Sequence, residues 1–144
     1  METSLAEVGL AVKRLQWRHH RTGSTRLAAI GLSLPQWDVL RHLHENPDAS
    51  LHALAELTFQ TDQSMGALAT RMIDRGLLER RPGPGRAVRH RATEDGERAR
   101  AAGAELMREV LTETVGTLSE DELRTLHHLL LKAEAGREQL AGAV

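Results

Sequence analysis

Apolar residues recur every three or four positions along most of the chain, which is the period of an amphipathic α-helix. The first such stripe consists of Leu5, Val8, Val12 and Leu15. It predicts a first helix that ends near residues 22–24. Ser33 and Gln36 then have the spacing of a capping box, so we expect a second helix from Ser33 to a stop at residues 46–48.

Two shorter helices are predicted next. Ser50 is placed to cap a helix over residues 50–57, and Thr61 or Asp62 is placed to cap another that runs to about Arg75. The apolar side of this last helix carries Met65, Leu68, Ala69, Met72 and Ile73. Its other side carries Gln63, Ala67, Thr70, Arg71 and Asp74. One face is therefore expected in the core, and the other displays amide, hydroxyl and guanidinium groups.

The second half of the chain begins with a predicted β-hairpin. Its strands are residues 77–81 and 86–91, and the Pro-Gly-Pro-Gly sequence at 82–85 is their turn. A long helix follows from Thr93 to about residue 115, and a last helix begins after the capping box at 119–122. The fold is thus predicted to be mainly α-helical with one small β-hairpin.

Composition limits the chemistry of the chain. Its 144 residues favour one domain, and the absence of cysteine excludes disulfides, thiol catalysis and thiolate metal sites. No glycine-rich phosphate loop, carboxylate pair or catalytic triad stands out, so we expect no enzyme activity and no cofactor. The adjacent histidines at 19–20 and 127–128 diverge by about 100° on a helix, so we expect no metal site.

The net charge of −1 conceals an uneven distribution. Residues 61–93 hold seven basic and three acidic side chains, whereas residues 94–144 hold six basic and eleven acidic ones. The start of the chain lacks the features of a secretion signal, and no stretch is apolar enough to span a membrane. We expect a cytoplasmic protein without a membrane partner, whose positive segment coincides with the fourth helix and the hairpin.

Two short helices, the second with an exposed polar face, followed at once by a basic hairpin are typical of a winged helix-turn-helix. A helix fits the major groove of DNA, where Gln, Ser, Thr and Arg match the donors and acceptors of base edges. An arginine-rich hairpin suits phosphates or the adjacent minor groove. The expected partner is therefore double-stranded DNA.

Three segments of the chain resemble the MarR family of winged-helix transcriptional regulators. They are residues 34–40 (LPQWDVL), residues 71–80 (RMIDRGLLER), and residues 86–96 from Arg86-Ala87-Val88 to Asp95-Gly96. The resemblance implies a single MarR-type domain over residues 1–144, with a DNA-binding core at about 33–93 and dimerisation helices at about 1–22 and 94–144. It also implies a homodimeric repressor that a small aromatic or anionic effector releases from a pseudo-palindromic operator.

The resemblance also nominates individual residues. The expected DNA contacts are Thr61, Gln63, Ser64, Ala67, Thr70, Arg71, Arg86 and Arg89. The expected effector-binding residues are Trp17, His20, Trp37 and His42. The chain departs from the family pattern at Phe59, where the turn of the helix-turn-helix often carries glycine, and at 82–85, where the wing usually has an Asp-containing turn.

Other interpretations of these features remain open. The polar helix face is also compatible with simple solvation, the hairpin arginines with a charged strand edge, and the tryptophans with core or interface packing. A metal- or pH-responsive regulator of the same fold, or a winged helix used for protein–protein assembly, are the alternative functions.

Overall fold

The computed structural model describes residues 2–85 and 87–142, with side chains described up to residue 136. This part of the chain forms six α-helices, one β-hairpin and a short 3-10 turn at Val115–Thr117. The elements are α1 (Leu5–Ala28), α2 (Leu34–Glu45), α3 (Leu51–Leu57), α4 (Asp62–Asp74), β1 (Leu78–Pro82), β2 (Val88–Ala92), α5 (Glu94–Thr112) and α6 (Glu120–Gly142). The mainly α-helical prediction and the order of elements are confirmed.

Helix α1 is longer than the sequence pattern indicated. The prediction that it ends near residues 22–24 was wrong, since the helix continues to Ala28 and Leu27 is completely buried. Gly23 does not end the helix. It lies where α1 closely approaches the side chain of Met107, because a Cβ atom on residue 23 would lie 2.8 Å from the sulfur of Met107. The chain reverses later, at Gly31, which has a φ of +77°.

The next three helices begin where their caps were predicted. The hydroxyl oxygens of Ser33, Ser50 and Thr61 each accept a hydrogen bond from a backbone N–H three residues later. Their apolar faces form the core of this region, as expected. The largest completely buried side chains of α2 to α4 are Val39, Leu40, Leu54, Met65 and Met72.

The hairpin is antiparallel and shifted slightly from its predicted position. β1 begins at Leu78 rather than Leu77, because the N–H of Leu77 still donates to Met72 O at 2.9 Å as part of the exit from α4. β2 begins at Val88, which pairs with Pro82. Arg86, predicted at the tip, lies outside the described residues.

By its internal contacts the chain forms two compact units, residues 1–108 and 109–144. The first contains α1 to α4, the hairpin and most of α5. The second carries exposed leucines along α6: Leu123, Leu129, Leu130 and Leu131. Within the described residues, no helix is both long and apolar enough to cross a membrane.

Candidate nucleic-acid interface

Helices α3 and α4 form a helix-turn-helix whose turn contains a strained phenylalanine. Phe59 has a φ of 57°, in the left-handed region that side chains other than glycine rarely adopt. The turn is closed by a hydrogen bond of 2.8 Å from the N–H of Gln60 to Ala55 O. The backbone of residue 59 thus has the left-handed conformation that glycine usually adopts at this turn, although the residue here is phenylalanine. The Phe59 side chain is 96% exposed.

One face of α4 is free of the core. Met65, Leu68, Ala69 and Met72 are buried, which leaves the opposite side of the helix to solvent. The predicted contact residues there are all exposed: Gln63, Ser64, Ala67, Thr70 and Arg71. Arg71 forms no ion pair within the described part of the chain, so its guanidinium is available to a ligand outside the protein.

Thr61 and Ser64 already have partners at the start of this face. The Thr61 hydroxyl accepts from the N–H of Ser64 at 3.1 Å and donates to Ser64 Oγ at 3.0 Å. Thr61 is therefore the N-cap of α4, and DNA contact by these two residues stays a prediction.

A histidine that was not singled out from the sequence links α3 to the first turn of α4. His52 Nδ1 lies 2.8 Å from Asp62 Oδ1, and His52 Nε2 lies 3.0 Å from Glu56 Oε1. The hydrogen bond to Asp62 and the charges of both carboxylates raise the pKa of His52 above its ordinary value. No local sequence pattern predicts this contact, because Asp62 is ten residues further along the chain than His52.

The hairpin carries both paired and unpaired arginines. Arg81 donates to Asp48 Oδ1 at 2.6 Å, and Arg91 is paired with Glu79 on the opposite strand. Arg89, which lies opposite Arg81, has no carboxylate partner among the described residues. Of the two predicted wing contacts, the described structure therefore places Arg89 in the hairpin with its charge unneutralised.

His90 lies next to Arg89 but points to the other face of the hairpin. It is 4% exposed, and its Nδ1 atom has no hydrogen-bond partner in the described structure. Burial lowers the pKa of His90, and the nearby charge of Arg80 lowers it further. Burial of His90 therefore disfavours the protonated form of its imidazole.

The four predicted effector-binding residues form two local groups, Trp17 with His20 and Trp37 with His42, and their role in effector binding stays a prediction. Trp17 is 59% exposed and stacks on His20, with ring centroids 5.6 Å apart. Trp37 is 7% exposed, and its indole N–H donates to Arg100 O at 3.2 Å. His42 is linked to Trp37 only through Arg41, whose guanidinium lies 5.0 Å from the indole centroid and 3.3 Å from His42 Nε2. Trp37 thus belongs to the core.

In a chain without cysteine, the side chains that could bind a metal ion are mainly histidines and carboxylates. Among the described residues, no group of three or more such side chains is arranged to hold a metal ion.

Comparison with known proteins agrees with this geometry. A sequence model of the MarR family matches residues 30–87. The HTH-type transcriptional repressor IacR of Pseudomonas putida is 30% identical over 124 residues, covering 81% of this chain and 71% of that protein. The chain belongs to the MarR family.

Solved structures of MarR proteins share the fold. A mutant MarR from E. coli in complex with operator DNA superposes with a TM-score of 0.77 at 20% identity, covering 91% of this chain and 99% of that one. The MarR family protein Rv2887 of Mycobacterium tuberculosis in complex with salicylic acid gives a TM-score of 0.72 at 22% identity, covering 92% and 97%. These matches confirm the winged-helix fold of this MarR-family chain.

Proposed function

We propose that this MarR-family protein is a homodimeric transcriptional repressor that binds a pseudo-palindromic operator and acts without catalysis in the cytoplasm. The observation that carries the proposal is the pairing of an exposed polar face on α4 with an arginine-bearing hairpin. The relatives with which it shares family and fold include a named repressor and a protein crystallised on operator DNA.

The proposed DNA contacts follow from the exposed groups. Gln63 and Arg71 present amide and guanidinium donors that match base edges in the major groove. Arg89 presents a positive charge on the hairpin, which suits a phosphate contact. Arg81 instead pairs with Asp48 outside the hairpin, and Arg91 pairs with Glu79 on the opposite strand, so we assign neither arginine a DNA contact.

Exposed apolar side chains support dimerisation. On α1 they include Leu5, which is 93% exposed, together with Val8, Leu10, Val12 and Trp17. The leucines of α6 are a second such set, and leaving these two apolar surfaces in water is unfavourable. We propose that a second copy of the chain covers them, with the segments before and after the DNA-binding core forming the dimer contacts.

We further propose that a small aromatic or anionic effector lowers DNA affinity. The support is a salicylic acid complex of a protein with the same fold. In a dimer, an effector that binds better to one arrangement of the two α4 helices shifts the population away from the arrangement that fits two major grooves.

The test is fragment selection from genomic DNA followed by titration of selected duplexes at several salt concentrations. We expect affinity to fall steeply with added salt, and Arg89→Ala to reduce the slope by about one for one lost phosphate contact. The control is Arg98→Ala, which removes an arginine already paired with Glu94 and Asp95 on α5 and should leave the slope unchanged. Absence of duplex binding at low salt would reject the DNA-binding function and favour a protein-assembly module.

A further inference from the structure

The imidazole of His52 bridges two carboxylates at the start of the helix-turn-helix. His52 lies in the first turn of α3, and its Nδ1 atom is 2.8 Å from Oδ1 of Asp62, the first residue of α4. Its Nε2 atom is 3.0 Å from Oε1 of Glu56 in its own helix. Carboxylate oxygens only accept hydrogen bonds, and a neutral imidazole has a single N–H to donate. Both contacts are therefore hydrogen bonds only when His52 is protonated.

The charges that act on this imidazole come from two helices. Asp62 of α4 and Glu56 of α3 raise the pKa of His52, and α2, which also packs on α3, contributes no charge to this shift. The protonated cluster thus holds one positive and two negative charges, and loss of the proton leaves the two negative ones. Protonation of His52 therefore sets the amount of negative charge at the start of α4.

Asp62 has two opposing electrostatic effects at this position. A carboxylate in the first turn of α4 stabilises the helix, because it interacts favourably with the positive end of the helix dipole. Asp62 also directly precedes the exposed Gln63, and recognition helices contact the groove with their N-terminal residues. In the proposed complex its charge then lies within one Debye length of phosphates, about 8–10 Å, and repels them.

We propose that His52 is a positioning residue for DNA binding, whose imidazolium holds Asp62 against α3 and neutralises that carboxylate where α4 meets the operator. This inference rests on the proposed function. Phosphates nearby in turn stabilise the imidazolium, so DNA binding and protonation of His52 favour each other. Operator affinity is then highest with His52 protonated, and it falls as the pH rises and the proton is lost.

A direct phosphate contact by His52 is the competing explanation. Both ring nitrogens already face carboxylates in the structure, so no N–H of the imidazolium is left for a phosphate. Arg89 suits that role better, since it has no carboxylate partner among the described residues. The geometry therefore favours an effect of His52 through Asp62.

The first test is an NMR titration of His52 in the DNA-free protein. We expect the pKa of His52 to lie above its ordinary value in the wild type and to fall in Asp62→Asn, because one of the two carboxylates is lost. The control is Asp48→Asn, which removes an exposed carboxylate that pairs with Arg81 instead and should leave His52 unchanged. The same pKa of His52 in wild type and Asp62→Asn would overturn the proposal.

The second test measures operator affinity between about pH 6 and 8.5 at fixed ionic strength. We expect the wild type to bind about tenfold more weakly at the alkaline end, since a dimer loses two charges beside phosphates, each worth about threefold at roughly 7 Å in water. His52→Gln has no proton to lose and should show the weaker affinity at every pH. The control is His44→Gln, which replaces an exposed histidine 3.6 Å from Glu97 and should retain the wild-type profile.

The double variant His52→Gln/Asp62→Asn separates the positioning role from a direct contact. It retains the charge of Glu56 alone, so its net charge at the cluster equals that of the protonated wild type. We expect it to bind the operator as tightly as the protonated wild type and to do so at every pH. If the double variant binds as weakly as His52→Gln, the imidazolium contacts DNA directly and the positioning role is rejected.

The remaining outcomes separate this inference from the proposed function. Operator binding by the wild type that does not change with pH rejects the role of His52 and leaves the DNA-binding function intact. Absence of duplex binding at every pH rejects both. If circular dichroism shows that His52→Gln is unfolded, Asp62→Asn decides, because the proposal requires it to bind more tightly than the wild type at alkaline pH.

Discussion

The indole of Trp37 occupies space that Gly103 leaves free. A Cβ atom on residue 103 would lie 2.6 Å from the indole Nε1 and closer still to Cδ1. The indole of Trp37 cannot easily move away, because its N–H donates a hydrogen bond to Arg100 O, about one helical turn before Gly103 in α5. Helix α5 therefore packs on α2 through a position that tolerates no side chain.

The first prediction is that Gly103→Ala destabilises the protein despite the higher helix propensity of alanine. The added methyl group forces Trp37 or the helix to move, and overpacking of this kind costs about 1–3 kcal/mol. Urea denaturation followed by circular dichroism measures the change in the free energy of unfolding.

Gly66→Ala is the matched control, since Gly66 is also in a helix and a Cβ atom there would have no atom within 4 Å. That variant should be more stable by about 0.5–1 kcal/mol, the ordinary gain in helix propensity. Equal stabilisation by both substitutions would contradict the Trp37–Gly103 contact.

The second prediction concerns the turn of the helix-turn-helix. Phe59→Gly should stabilise the protein by about 0.5–1 kcal/mol, because glycine adopts the positive φ without the steric cost that phenylalanine bears. Little packing is lost, since the side chain is 96% exposed. Thermal unfolding of Phe59→Gly and Phe59→Ala provides the comparison. Alanine keeps the Cβ clash, so an equal gain in both variants would mean that the side chain, not the backbone, is the cause.

The third prediction is a pH dependence of stability that originates at His90. Burial lowers its pKa in the folded protein, whereas the unfolded chain takes up the proton near pH 6.5. The stabilising effect of the neutral imidazole is therefore complete above about pH 6.5, and it is lost as the pH falls from there through the folded-state pKa. Denaturation of wild type and His90→Leu between about pH 7.5 and 5.5 should show a smaller loss in the variant.

His52 provides a control of opposite sign. Its pKa is raised by Asp62 and Glu56, so its contribution is complete below its ordinary pKa and disappears as the pH rises through the raised value. His52→Gln should therefore change stability at the acid end and not at the alkaline end. The same pH profile in both histidine variants would exclude the assignment to His90.

The fourth prediction distinguishes base from phosphate contact at Arg71. If Arg71 bonds to a base edge, Arg71→Ala should relax preference at one operator position by about 1–3 kcal/mol and leave other positions unchanged. Competition binding with operators that differ at single base pairs measures this. Arg98→Ala should retain the full preference. A uniform loss across all operator variants would assign Arg71 to the phosphate backbone.

Local signals predicted much of the fold. The caps at Ser33, Ser50 and Thr61 and the buried side of α4 were predicted correctly, because capping and amphipathic periodicity depend on residues within one or two turns. The chain resembles its family through the same short segments, so the winged helix was predictable as well.

Features that depend on distant residues were not predictable in this way. Gly23 looked like a helix end, and its actual role depends on Met107, which is far away in the sequence. The bond from Arg75 to Gly31 and the contact between His52 and Asp62 arise only when the helices are assembled. For Phe59, the intrinsic preference of phenylalanine disfavours the observed positive φ, and the tertiary structure imposes this backbone conformation nevertheless.

The different environments of the two tryptophans make the protein its own optical reporter. The chain contains no tyrosine, so ultraviolet emission arises essentially from two indoles. Trp37 is buried in the core, and its emission follows unfolding, whereas Trp17 stands in solvent against the imidazole of His20. Iodide quenching spares the first indole, and it reaches the second in any protomer that is not covered by the proposed second copy of the chain. A Trp17→Phe substitution would therefore leave a single buried fluorophore for following folding without an added dye.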